Sequence, residues 1–114
     1  MACLLVCAAG FSAFALRAAE PPEQVIDLRI VGGSLAAAQR VIRVSKGDSV
    51  HWRITSDTPG ELHVHAYHVE TRVVPGKASE LAFKAFATGR YRVEWHPANG
   101  QPAAPLATLE VHPK

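Results

Sequence analysis

The turns of this chain limit its fold more than any other feature. Gly32-Gly33-Ser34, Ser45-Lys46-Gly47-Asp48, Asp57-Thr58-Pro59-Gly60, Pro75-Gly76 and Ala87-Thr88-Gly89 break it at short, regular intervals. The pieces between them are too short for stable helices, and several alternate. Ser49 to Thr55 puts Val50, Trp52 and Ile54 on one face and His51, Arg53 and Thr55 on the other. Tyr91 to Trp95 sends Tyr91, Val93 and Trp95 one way and Arg92 and Glu94 the other. Side chains on a strand repeat every two residues, so this alternation marks strands with one buried face. Further strands are expected at Gln24–Val31, Gln39–Val44, Glu61–Val69, Thr71–Val74, Ser79–Phe86 and Leu106–His112. Leu35 to Ala38 has the makings of one helical turn, too short to stand alone. Seven or eight short strands with no long helix predict an all-β, antiparallel β-sandwich.

The N-terminus reads differently. Met1 to Leu16 carries no charge and is rich in Ala, Leu, Val and Phe; Arg17 follows, then Glu20-Pro21-Pro22-Glu23. A membrane-spanning helix needs about 20 apolar residues, and this run falls short. A secretory signal peptide over residues 1–19 is expected, with Ala13-Phe14-Ala15 or Ala18-Ala19 at its cleavage site, although no Lys or Arg precedes the apolar run. Residues 20–24 read as a short linker and 25–112 as the folded domain, placing the mature protein in the periplasm or outside the cell. Both cysteines, Cys3 and Cys7, fall in the leader, and Met1 is the only methionine. The mature chain then offers no thiolate and no thioether, which excludes a soft sulfur site for copper(I) and a blue-copper centre. With 12 Lys and Arg against 10 Asp and Glu and no basic cluster, nothing marks a nucleic-acid surface.

Six histidines remain as the chemistry-bearing residues. His63 and His65 stand two apart on an expected strand, about 6.5 Å along the backbone and on the same face, a spacing from which two imidazoles can reach one metal ion. His96 follows Trp95 where the chain leaves its strand. If that strand end meets the His63 strand at one pole of the sandwich, the three imidazoles form a site with an open position. His68 lies on the opposite face unless the strand bulges or ends near Tyr67. His51 and His112 read as surface residues. Glu61 and Glu94 offer an oxygen ligand or a hydrogen bond to an imidazole. Trp52, Tyr91 and Trp95 read as core. No Gly-x-Ser-x-Gly turn and no phosphate-cradling glycine loop is present.

The order of short motifs resembles the cupredoxin family. Arg43-Val44-Ser45-Lys46-Gly47-Asp48-Ser49-Val50, then Leu62-His63, Val74-Pro75-Gly76 and Thr88-Gly89-Arg90-Tyr91 follow its pattern over Val25 to Val111. The resemblance implies a Greek-key sandwich and places His63 at the first copper-ligand position. The family's ligand cysteine falls on Trp95, its second ligand histidine on Ala98, and its methionine has no counterpart. Gly60-Glu61-Leu62-His63-Val64-His65-Ala66-Tyr67 with Val93-Glu94-Trp95-His96 is similar to a group of small exported bacterial cupredoxin-like proteins. There Gly commonly stands at the Ala66 position and Asp at the His68 position.

The function expected from these residues is binding of a transition metal, copper(II) before zinc, through His63, His65 and His96, for carriage, buffering or tolerance rather than blue-copper electron transfer. Binding by neutral imidazoles weakens below about pH 6.5, the ordinary imidazole pKa. The alternative is a metal-free module that uses the sandwich to bind a partner protein. An enzyme with a three-histidine metal ranks last, because no general base stands out beside the histidines.

Overall fold

The computed structural model describes residues 23–114, together with Gly10. The expected leader, its cleavage sites, Cys3, Cys7 and most of the linker lie outside the described residues. Eight strands follow in order: β1 (Glu23–Ile30), β2 (Val41–Ser45), β3 (Ser49–Ser56), β4 (Gly60–Val64), β5 (Val69–Val73), β6 (Ser79–Lys84), β7 (Gly89–Pro97) and β8 (Ala104–His112). A single 3-10 turn, Ala37–Gln39, is the helical element among the described residues. None of the described helices is long and apolar enough to cross a membrane.

The strands form two sheets, β1-β3-β6 and β2-β8-β7-β4-β5, packed face to face as a β-sandwich. The chain passes back and forth between the sheets, which leaves two neighbouring pairs parallel: β1 with β3, and β2 with β8. The sheets are therefore mixed, where local alternation predicted antiparallel pairing throughout. The inner faces carry the core, including Trp52, Ile54, Leu62, Val64, Val93, Trp95 and Leu109, all 1% exposed or less.

Two expected boundaries shift. The expected strand Gln24–Val31 begins and ends one residue earlier, as β1. The expected strand Glu61–Val69 is two strands, β4 and β5, joined by the loop 65–68, and these pair as a hairpin from Gly60 opposite Val73 to Val64 opposite Val69.

Trp95 fixes the relation of β4 to β7. Its indole lies against Gly33, whose α-carbon side approaches Cδ1, and against Gly60 across the strand. A Cβ at Gly60 would collide with the indole ring and come within 2.8 Å of the His96 carbonyl oxygen. Gly60→Ala is accordingly expected to cost about 1–3 kcal/mol of stability through overpacking. Urea unfolding with an unchanged m-value and a lowered midpoint would register it; an unchanged midpoint would contradict this packing.

On the outer face, Glu110 of β8 joins three strands. Its Oε2 accepts from Arg90 of β7 at 2.7 Å, and its Oε1 stands 3.2 Å from both Arg43 of β2 and His112. Desolvation pushes the Glu110 carboxyl upward, but hydrogen bonds from Arg90 and His112 and the charges of Arg90 and Arg43 outweigh it, and the net shift is downward from 4.5. A depressed carboxyl stabilises the fold above its unfolded pKa, and that contribution disappears as pH falls through the folded value. The stability difference between the wild type and Glu110→Gln should therefore hold near neutrality and shrink below about pH 4.5. Denaturation at a series of pH values checks it, and a difference that grows towards acid would refute the network.

Candidate functional site

The period of two that builds the core also builds the site. Along β4, Gly60, Leu62 and Val64 are buried, while Glu61 and His63 are half-exposed on the opposite face. Along β7, Val93 and Trp95 are buried, while Glu94 and His96 face outward. Antiparallel pairing sets Glu61 opposite His96 and His63 opposite Glu94. His65 lies just past the end of β4, but its backbone N–H still donates to the Arg92 carbonyl at 2.9 Å, so the ladder continues through it.

A quadrilateral results, made of His63 and His65 from one strand and Glu94 and His96 from its neighbour. The ring centroid of His63 is 4.7 Å from that of His65 and 5.9 Å from that of His96. Glu94 Oε2 lies 3.0 Å from His65 Nε2 and 3.5 Å from His96 Nε2. The two imidazole side chains are each 44% exposed, yet both Nε2 atoms are covered and lack an aligned hydrogen-bond partner. The contact between His65 and Glu94 is thus close without being well directed. The neighbouring His65 imidazole holds the Glu94 carboxyl below its usual range against the opposing effect of desolvation, and the Arg92 guanidinium, donating to Oε1 at 3.3 Å, adds to this.

His96 sits within β7, on the sheet face, rather than in a loop at one end of the sandwich. The expected strand stopped at Trp95; the observed strand runs on to Pro97 and gives Glu94 and His96 a common face. The signal for this was present, since Glu94-Trp95-His96 has the same two-residue spacing as His63-Val64-His65. Among the described residues no group of three or more His, Cys, Asp or Glu side chains is already set to hold a metal ion. The rings touch, but their nitrogens do not yet converge on one point.

The remaining candidates fall elsewhere. His51 lies on the outer face of the smaller sheet, with Nδ1 2.9 Å from Glu23 and Nε2 3.6 Å from Glu80. A carboxylate on each ring nitrogen ties β1 to β6 and prevents the three groups from sharing one ion. His112 pairs with Glu110, and His68 is exposed at the end of the loop 65–68. Glu61, with Arg72 and His96, lines a cavity of about 350 Å³ beside the quadrilateral.

The loop that carries His65 is strained and then pinned. Ala66 and His68 have φ of 69° and 51°, a left-handed conformation that costs a side-chain-bearing residue about 1–2 kcal/mol. Tyr67 between them donates its hydroxyl to the Ala87 carbonyl at 3.0 Å, and its ring packs edge-on against Tyr91 and Phe86.

No protein-family model matches the chain, and no curated protein matches it. Solved structures do. A multi-copper oxidase from Pseudomonas thermotolerans superposes with a TM-score of 0.63 at 17% identity, over 82% of this chain and 30% of that one. A copper-containing nitrite reductase from Thermus scotoductus gives 0.58 at 22%, over 82% and 28%. A chain of a heme-copper terminal oxidase dimer gives 0.62 at 18%, over 75% and 60%. The chain thus spans less than two thirds of each of these relatives. At such identities the likeness establishes the fold: a cupredoxin-like domain of the kind built into multicopper oxidases and copper nitrite reductases.

Since glycine adopts φ near 69° without penalty, Ala66→Gly is expected to stabilise the protein by about 0.5–1 kcal/mol. A urea midpoint lower than that of the wild type would show that the loop is not held in this conformation.

Proposed function

We propose that this protein is an exported, periplasmic, cupredoxin-like metal carrier or buffer that binds a transition metal, copper(II) in preference to zinc, through His63, His65 and His96. One observation supports the reading above all others: two histidine Nε2 atoms, covered and without aligned hydrogen bonds, lie 3.0 and 3.5 Å from one oxygen of Glu94, with the ring of His63 beside them. A buried nitrogen without a hydrogen bond is costly, so its retention on two adjacent rings is accounted for if an ion takes up their lone pairs. The solved structures of like fold include copper proteins, which makes copper the first ion to test. The donors available are nitrogen and oxygen, a set that suits copper(II) and zinc and lacks the sulfur that stabilises copper(I). Carriage or buffering fits such a site better than rapid electron transfer. The sequence pattern around His63 and His96 resembles that of small exported cupredoxin-like proteins.

A second reading, a metal-free module that binds a partner protein, is favoured by the fact that no three donors already converge among the described residues. Metal analysis and calorimetry separate the two. The purified protein should bind about one copper(II) per chain, and His63→Ala/His65→Ala should lose it while keeping the far-ultraviolet spectrum of the fold. Equal copper uptake by the double variant would remove these histidines from the site, and no uptake by the wild type would leave the module.

A further inference from the structure

We infer that Glu94 is a fourth ligand of this site, so that it presents three imidazoles and one carboxylate and takes divalent ions in preference to copper(I). This deepens the metal-binding reading and rests on it. The two oxygens of Glu94 have divided tasks. Oε1 accepts from the Arg92 guanidinium at 3.3 Å, and Oε2 lies between the Nε2 atoms of His65 and His96, at 3.0 and 3.5 Å. Glu94 is the more buried partner in both contacts: its side chain is 17% exposed against 44% for each of those two imidazoles.

The strand geometry makes the carboxylate central. His63 stands directly opposite it, with side chains about 5 Å apart at Cβ, and the other two imidazoles are its diagonal and same-strand neighbours. An ion held by His63, His65 and His96 therefore lies over position 94 whatever stands there. A carboxylate at that point either binds the ion or is passed at close range by it, and its negative charge favours a doubly charged ion in both cases. Arg92 orients the carboxylate without entering the site, since its donors serve only oxygen.

Oxygen is a hard donor. It adds to the affinity for copper(II) and zinc and little to that for copper(I), which prefers sulfur and low coordination numbers. Copper(I) should thus be held more weakly, relative to copper(II), by this site than by one with imidazoles alone.

The experiment compares the wild type with Glu94→Gln by competition of copper(II) against a chromophoric chelator, with the electron paramagnetic resonance spectrum of the bound ion as a second readout. The variant is expected to lose roughly tenfold or more in copper(II) affinity, to shift its spectrum, and to keep its copper(I) affinity under reducing conditions. Glu94→His, which supplies nitrogen in place of oxygen, should recover copper(II) binding with a spectrum displaced towards an all-nitrogen set, and covers the case in which Glu94→Gln folds poorly. Wild-type affinity and spectrum in Glu94→Gln, with binding still abolished by His63→Ala/His65→Ala, would refute the role of Glu94 and leave the histidine site standing. Failure of the wild type to take up copper(II) would overturn both.

Discussion

The seam between β4 and β7 is the constraint on which the rest of the structure depends. On its inner side Leu62 lies opposite Trp95 and Val64 opposite Val93, all of them buried. On its outer side the same register sets His63 opposite Glu94 and Glu61 opposite His96. The two sides do not contribute equally. Truncating a buried tryptophan costs about 3–5 kcal/mol, whereas outward cross-strand pairs are worth about 0.2–1 kcal/mol each. The register is therefore chosen by the core, and the outer side chains are placed as its consequence. A slip of one residue would bring imidazoles into the core and expose the indole, so the fold holds the polar quadrilateral in place without needing any attraction among its members.

That division explains why the histidines can be arranged with unsatisfied nitrogens. Stability is supplied from the inner side of the sheets, where nineteen apolar residues are buried among the described residues. The strained loop 65–68 adds cost at the same place, and Tyr67 offsets it by anchoring the loop on the Ala87 carbonyl. Two of the three buried side-chain nitrogens without a hydrogen-bond partner among the described residues, those of His65 and His96, lie beside the strained loop on the larger sheet, and the third is Trp52 Nε1 in the smaller one, whose outer histidine, His51, is closed between two carboxylates. The contrast between a satisfied and an unsatisfied histidine within one sandwich is what singles out the area around Glu94.

Much of the fold was legible in the sequence because its signals are local. Alternation in Ser49–Thr55 and Tyr91–Trp95, and the glycine and proline turns, located β3, β7 and most strand ends within a few residues. What the sequence did not disclose depends on distant partners or on backbone strain. The parallel pairs β1–β3 and β2–β8 arise from the path of the chain between sheets, which no local pattern encodes. The break after Val64 was hidden because Ala66 and His68 take left-handed conformations without the usual glycine or asparagine to mark them. In the site, the His63–His65 spacing was plain, but the end of β7 was placed at Trp95. With His96 assigned to a loop, the matching spacing of Glu94 and His96 carried no meaning until pairing with β4 extended the strand.

The same alternation bears on where a sandwich whose described strands carry no cysteine or methionine presents its donor side chains. Position 95, where the family resemblance would set a ligand cysteine, faces inward and is filled by an indole 1% exposed. A donor at 95 looks into the space between the sheets; donors at 94 and 96 look away from it. One strand cannot serve both directions at adjacent residues, so occupying position 95 with Trp commits its neighbours to the outer face. The large ring packs inward against Gly33 and Gly60, so position 95 carries an apolar contact where a ligand would otherwise point. The donors of β4 and β7 at His63, Glu94 and His96 accordingly stand on the outer face of the larger sheet, away from the core.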